Sequence, residues 1–471
     1  MEQEVCIARE IKTAKSAAEI FEIFKDRPYG VLLDSASGSN GLGECSIIAF
    51  EPFLVFKSKG NAVNIWTRGH SQKLTGDPLE HLRSVFRRYG HGWNCGLPFA
   101  GGGIGYFSYD LCGLLERVED RREDELCIPD IMFCFYNAAI ITNHAANKTY
   151  VAASSTGQDK PYCLEEKLDA ICAELEESAN NADGAPTDNG LPLRFRAPLV
   201  SNFTREQYCD MVMAAKEYIR NGDIYQVNLS QRFKTIMDTA HSFSLYKKLR
   251  RLNPAPFSAY LDFEDVKVLS TSPERFIKIR NGIIETRPIK GTRPRGKTLE
   301  EDVVLGRDLL ASEKDRAELT MIIDLERNDL GKVCEIGSVR VKRLFEVESY
   351  ATVHHLVSTI EGKLKPGVDA IDCIRAAFPG GSITGAPKIR AMEIINELEP
   401  ARRGIYTGSI GYMGFDGNCD LNIAIRTVIA KGNEVFYNVG GGIVWDSVPE
   451  KEYQETLDKG EALMRALSEG E

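Results

Sequence analysis

Lys290 stands at the end of a hairpin made by the apolar run 276–280, the turn Asn281-Gly282 and the run 283–289. Asn-Gly between two apolar runs is a strong hairpin signal. The sheet therefore fixes where the lysine emerges, and a fixed lysine is a nucleophile once its surroundings keep part of it neutral. The plainer reading is a solvated lysine at a strand end. Glu274, in Ser272-Pro273-Glu274-Arg275, opens the same hairpin. It suits an ion pair or an acid–base partner of the lysine.

Two carboxylate pairs follow. Asp315 and Glu318 lie three apart on one expected helix, and Glu452 and Glu455 three apart on another. That spacing puts each pair on one helix face. Two such faces brought together offer oxygen ligands to a hard cation such as Mg²⁺, although acidic pairs are also common on solvated helices. Glu318 adjoins an apolar run (Leu319, Met321, Ile322, Ile323), which points to a helix near the core.

Arg426 interrupts the apolar run 421–430, which reads as a strand. A buried arginine needs an anion, either a structural carboxylate or a substrate's. His354-His355 reads as packing or as a general acid. The segment from Phe378 to Lys388 has the glycine gap of a phosphate loop, but Ala386-Pro387 replaces the required Lys-Ser/Thr. Its glycines and hydroxyls at a helix start, and the amides of Gly440-Gly441-Gly442 after a strand, suit a carboxylate or simply a tight turn.

The elements that must carry these residues are mixed. Strands are expected at 30–34, 46–49, 53–57, 62–66, 224–229, 408–415, 421–430 and 434–439. Helices are expected at 77–89, 162–177, 204–220 (with a Thr204/Gln207 capping box), 299–310, 313–326, 387–398 with Pro387 at N1, and 449–467. Hairpins are frequent and strict strand–helix alternation is missing. This favours an α+β fold, an antiparallel sheet core with helices outside. The low-complexity stretch 178–191 reads as a linker or surface excursion, dividing the chain into 1–177, 178–202 and 203–471.

The chain has 471 residues, 58 basic against 68 acidic. The acidic balance argues against nucleic acid or an anionic membrane as main partner. No apolar run approaches a membrane span, the start lacks the features of a signal peptide, and the twelve cysteines form no C-x-x-C pair. A cytoplasmic enzyme is expected.

Four runs occur in a telling order: Asp315-Arg-Ala-Glu318, Asp324-Leu-Glu-Arg-Asn-Asp329, Phe378-Pro-Gly-Gly-Ser-Ile-Thr-Gly-Ala-Pro-Lys388 and Tyr453-Gln-Glu-Thr456. Together they resemble the catalytic region of the chorismate-utilising enzymes, from about Phe203 to Ala466. Leu32-Leu33-Asp34-Ser35, Glu51-Pro52 and Gly102-Gly103-Ile104-Gly105-Tyr106 extend the resemblance over the N-terminal part. It implies a two-subdomain sandwich with the active site in a cleft. Within the family, anthranilate synthase large subunits carry Ala in the Pro-Ile-x-Gly-Thr motif, whereas many aminodeoxychorismate synthases carry Lys. The isochorismate and salicylate synthases place a lysine in the strand around 225–229, where this chain has Gln226. The resemblance therefore implies the aminodeoxychorismate synthase branch, which makes 4-amino-4-deoxychorismate on the para-aminobenzoate and folate route.

The roles it implies are specific. Glu318 and Glu455 hold Mg²⁺, supported by Asp315 and Glu452. Arg426, Tyr406 and the Gly440, Gly441 and Gly442 amides grip the enolpyruvyl carboxylate, and Ser382 and Thr292 also contact chorismate. His355 lies by the ring, Glu274 protonates the leaving hydroxyl, and Lys290 attacks C2 before ammonia attacks C4. Nothing here resembles a glutaminase, so a separate glutamine amidotransferase subunit is the implied ammonia donor. A tryptophan pocket belongs to the Leu-Leu-Glu-Ser motif, but Asp34 replaces its Glu, and Glu44-Cys45-Ser46 stands where Arg-Tyr-Ser is frequent. The alternatives are anthranilate synthase component I and a non-catalytic chorismate- or tryptophan-binding paralogue.

Overall fold

The computed structural model describes the chain except residues 1–5, 36–41, 68, 91–94, 117, 121, 157–160, 181–194 and 469–471. Most of the stretch 178–191 thus lies outside the described residues.

Two twelve-stranded antiparallel sheets make up the core. The first contains Cys6–Ile11, Lys148–Ser154, Ala138–Asn143, Cys45–Ala49, Val31–Asp34, Phe257–Phe263, Val266–Ser272, Thr427–Lys431, Glu434–Ile443 and Gln226–Ile236 in that spatial order. The second contains Ile289–Pro294, Val353–Lys363, Ile283–Arg287, Arg275–Arg280, Cys419–Asn422, Ser409–Gly414, Gly102–Phe107, Ile131–Tyr136 and Leu54–Lys59, also in order. Both sheets draw strands from either side of the 178–202 stretch, and Val200–Ser201 itself pairs with Gln226–Ile236. The inner faces meet through Val31, Ile47, Val55, Ile104, Met132, Val268 and Ile429. Helices cover both outer faces. Phe21, Leu245 and Leu463 pack on the first sheet, and Leu319, Ile323, Leu330 and Ile374 on the second. This is the expected sandwich with helices outside.

Local signals explain several elements. The Asn281-Gly282 turn joins Arg275–Arg280 to Ile283–Arg287, with both turn residues at positive φ. Thr204 and Gln207 form the expected capping box of helix Arg205–Arg220. Helix Glu313–Val333 begins at Ser312, which accepts from Asp315 N–H, and runs seven residues beyond the expected end. Pro387 is the N-cap of helix Lys388–Leu398 rather than its first residue. Gly385–Ala386 is still paired with Gln226–Ile236, so the proline is held extended.

Candidate active site

The chain changes sheets twice, side by side, and two site residues sit at these crossings. Pro273-Glu274 links strand Val266–Ser272 of the first sheet to Arg275–Arg280 of the second. Residues 423–426 carry the chain back, from Cys419–Asn422 to Thr427–Lys431. The crossings are tied together. Ile423 N–H donates to Glu274 O (3.0 Å), Ser272 Oγ to Ile423 O (2.6 Å) and Thr271 N–H to Arg426 O (3.0 Å). The single strand expected over 421–430 is therefore two strands in different sheets. Both strands are buried and mostly apolar, so the run's periodicity does not show the break.

Arg426 occupies the left-handed region at φ 50°. Its guanidinium donates to Asn253 Oδ1 at 2.9 Å, and it has no ion pair among the described residues. Burial alone pulls its pKa below the ordinary arginine value. A desolvated guanidinium facing only a neutral amide is an anion site. Glu274 is buried, and Ile289 N–H donates to its Oε1 at 3.4 Å. Burial raises its carboxyl above the usual range, against the pull of the Ser382 hydroxyl and the Lys290 ammonium.

Lys290 lies in strand Ile289–Pro294, whose register with Val353–Lys363 shifts between Lys290 and Thr292. Gly291, at φ 76°, makes the shift, and a Cβ there would meet Asp315 Cγ at 2.8 Å. The close approach sets the Glu313–Val333 helix against the lysine strand. Lys290 Nζ donates to Ser382 O at 2.9 Å and makes no ion pair among the described residues. Burial lowers its pKa, with Glu318 opposing and Lys459 adding to the fall. Thr292 Oγ1 lies 2.9 Å from His355 Nδ1. Burial, and then Arg426, push His355 down to about 3. The ring is neutral at working pH, suited to hydrogen bonding rather than proton donation, and its buried Nε2 has no protein partner.

The two carboxylate faces meet across the same space. A Cβ on Gly441 would lie 3.5 Å from Glu452 Oε2 and 3.6 Å from Glu455 Oε1. Burial raises the Glu318 carboxyl, and Asp315 and Glu455 push it further up against Lys290 and Lys314. Burial also raises Glu452, with Glu455 adding to it. At Glu455 burial is outweighed by Lys459, its ion-pair partner at 2.6 Å, and the carboxyl is lowered. Asp315 pairs with Arg293 at 3.1 Å. Among the described residues no three His, Cys, Asp or Glu side chains form a ready-made cage. Still, acidic oxygens that repel one another and are balanced by flexible lysines are a donor set that fits Mg²⁺, which keeps several waters.

Lys459 is a site residue the sequence did not single out. Four residues from Glu455, it looks like half of an ordinary helix-surface ion pair, yet its Nζ also reaches Gly440 O at 3.2 Å. Gly440, Gly441 and Gly442 lie inside strand Glu434–Ile443, not after it. They pair with Ser230, Leu229 and Asn228 on one edge, whereas Thr427–Lys431 pairs on the other only as far as Tyr437. Tyr406 is buried, with its hydroxyl 2.9 Å from where a Gly440 Cβ would stand, and Gln226 Nε2 lies 2.5 Å from the Cβ position of Gly442. The glycine loop serves close packing more than ligand amides. A Cβ at Gly380 would meet Ile423 at 2.7 Å, and one at Gly381 would meet Leu325 at 2.7 Å. Lys388 is engaged by Asp329 (2.5 Å) and Ala377 O (2.8 Å).

A second cavity, of about 410 Å³, opens beside Asp34 and is lined by Leu33, Glu44, Pro256, Arg275 and Tyr412 among others. Its two buried charges, Asp34 and Arg275, are paired. Asp34 accepts from Arg250 Nε (2.5 Å), Tyr246 OH (3.1 Å) and Ser46 Oγ (3.2 Å), and Arg275 is held by Asp420 (2.9 Å) and Glu285 (2.8 Å).

Residues 34–465 match the chorismate binding enzyme family. Anthranilate synthase component 1 of Aquifex aeolicus (strain VF5) is 41% identical over 455 residues, covering 93% of this chain and 89% of its own. Aminodeoxychorismate synthase component 1 of Bacillus subtilis (strain 168) is 40% identical over 447 residues, covering 95% and 93%. The crystal structure of anthranilate synthase component I from Streptococcus pneumoniae TIGR4 superposes with a TM-score of 0.79 at 35% identity, covering 90% of this chain and 92% of that one. The isochorismate synthase MenF of Escherichia coli, at 18% identity and a TM-score of 0.73, shares the fold, covering 98% and 94%. The protein, with its acidic faces and anion-seeking cations in one cleft, belongs to the chorismate binding enzyme family.

Proposed function

We propose that the chain is the synthase component of an aminodeoxychorismate synthase, converting chorismate and ammonia to 4-amino-4-deoxychorismate on the para-aminobenzoate and folate route. Relatives of near-equal identity carry both this name and that of anthranilate synthase, so overall similarity does not choose. One observation carries the choice: Lys290, a desolvated amine held by a backbone carbonyl with no carboxylate bonded to it.

Arg426, with Tyr406 and the Gly440, Gly441 and Gly442 strand, binds the enolpyruvyl carboxylate. Glu318 and Glu455 would hold Mg²⁺, with Asp315 and Glu452 in support. When bound, the ion supplies charge neutralisation and Lewis-acid help to the departing hydroxyl. The neutral Lys290 amine bonds to C2, the ring double bonds shift, and the C4–O bond breaks. Glu274, whose carboxyl burial raises, gives its proton to the departing oxygen, which leaves as water. Ammonia then bonds to C4, the double bonds shift back, and the C2–N bond returns its electrons to Lys290. Thr292 and His355 orient the site as neutral hydrogen-bonding groups, and Ser382 holds the amine. The enolpyruvyl arm stays on the product. Dividing one hard displacement in two is what a covalent nucleophile supplies.

Ammonia comes from a separate glutamine amidotransferase subunit on this reading. The setting is the cytoplasm; no helix of the described residues is long and apolar enough to cross a membrane. Mass spectrometry of the product from chorismate, an ammonium salt and Mg²⁺ tests the proposal. A product retaining the pyruvyl group is expected. Released pyruvate with anthranilate would overturn it in favour of the anthranilate synthase reading, and tight chorismate binding without turnover would favour a non-catalytic paralogue.

A further inference from the structure

Arg403 is the largest side chain with no exposed surface, and it contacts none of the groups assigned above to chorismate through a hydrogen bond. All five of its N–H donors are nevertheless in use. Nε donates to Glu399 Oε2 (2.9 Å), Nη2 to Glu399 Oε1 (2.7 Å) and Asn228 O (2.7 Å), and Nη1 to Ile383 O (3.1 Å) and Thr407 Oγ1 (3.3 Å). Glu399 Oε1 is anchored in turn by Ser230 N–H (2.8 Å) and Ser230 Oγ (2.9 Å). The guanidinium thus joins the end of helix Lys388–Leu398, strand Gln226–Ile236 and the short turn Gly381–Ile383. Glu399 and the strand satisfy three of the five donors, and the other two need acceptors of their own. The bond to Ile383 O goes further, because Ile383 follows Ser382, whose carbonyl holds the Lys290 amine.

We propose that Arg403 is a positioning residue that, by fixing the 381–383 turn, sets the place of the Lys290 amine. The inference rests on the reading of Lys290 as nucleophile for its catalytic consequence, though not for its structural part. Arg suits the task because its planar fork presents five donors in fixed directions. Lys offers three on a flexible stem, so Arg403→Lys keeps the charge opposite Glu399 and loses the reach to Ile383. A misplacement of about 1 Å at a reacting group costs roughly a hundredfold in rate. The arginine that grips the substrate carboxylate, Arg426, is bonded to Asn253 instead and is untouched by this change.

The test compares wild type with Arg403→Lys and Glu399→Gln, each checked for folding by near-UV circular dichroism and thermal melting. Steady-state rates are taken with chorismate, Mg²⁺ and ammonium. Separately, the ligand-free proteins are labelled with trace acetic anhydride, and the rate at Lys290 is compared with that of exposed lysines by peptide mass spectrometry. The expected result for Arg403→Lys is a kcat fall of about tenfold or more with KM within about threefold. Lys290 labelling should change at least as clearly, while other lysines stay as in wild type. Unchanged Lys290 labelling in a folded Arg403→Lys protein overturns the proposal whatever the turnover does. So does a kcat within twofold of wild type, or a loss that appears wholly in KM. An active Lys290→Ala enzyme would instead remove the nucleophile reading, and the labelling would still judge the positioning.

Discussion

The cleft around Lys290 and the cavity beside Asp34 lie in one sandwich, yet their main cations are treated differently. Around Asp34 the two buried charges have their partners: Arg250 and Tyr246 satisfy the aspartate, and Asp420 and Glu285 satisfy Arg275. In the cleft Lys290 and Arg426 rest on neutral oxygens, Ser382 O and Asn253 Oδ1. Leaving a cation desolvated and unpaired costs stability, so such cations mark a place prepared for an ionic ligand. Paired charges serve the fold. The difference separates Arg275, whose carboxylates are built into the fold, from Lys290 and Arg426, whose partners are neutral.

The sharpest way to break that distinction is Lys290→Ala. The fold should survive, since one hydrogen bond is lost, and turnover should fall further than the roughly 10²–10⁴-fold expected for a missing general acid. In the wild type an adduct on the Lys290 peptide should accumulate when ammonia is withheld. Native turnover with no adduct by mass spectrometry would return Lys290 to an ordinary strand-end residue.

Removal of the metal comes next. Glu318→Gln, Glu455→Gln or excess EDTA should abolish turnover while leaving the melting profile near that of wild type. Full activity in EDTA would refute the carboxylate assignment. Arg426→Met should act on binding, raising KM for chorismate by roughly ten- to a hundredfold, the value of charge-assisted hydrogen bonds. An unchanged KM would show that Arg426 is structural after all.

The pH profile follows from two shifts of opposite sense. Lys290 works as the free amine, so the rate rises with pH through its pKa, which burial sets below the ordinary ~10.4. Glu274 works protonated, so the rate falls as pH rises through its pKa, which burial sets above the ordinary ~4.3. The curve of kcat/KM should be bell-shaped. His355, held at about 3, contributes no limb near neutrality. A profile that lacks either limb would contradict the assignments. The smallest catalytic effect belongs to the paired region. Asp34→Ala should cost roughly 3–5 kcal/mol of stability by stranding Arg250, measured by denaturant unfolding, with turnover per folded molecule unchanged. Loss of turnover in folded protein would end the distinction between the two regions.

What was legible in the sequence was local. The Asn281-Gly282 hairpin, the two i, i+3 carboxylate pairs and the Thr204 capping box are short-range patterns, and the structure has each where it was read. The two sheets could not be read this way. Leu421 to Ala430 looks like one strand because burial in either sheet demands the same apolar residues, and nothing in the run announces that Arg426 turns left-handed between them. Gly440, Gly441 and Gly442 looked like a turn because glycine is rare inside strands, whereas here the missing side chains leave room for Glu452, Glu455 and Gln226. Lys459 was hidden by its resemblance to a surface partner of Glu455.

Lys290 is tied to the scaffold by a single carbonyl, at a strand position beside the Gly291 bulge. On the proposed reading, the residue that decides the chemistry contributes little to keeping the protein folded. Mutation can then exchange that side chain and leave the folded framework in place.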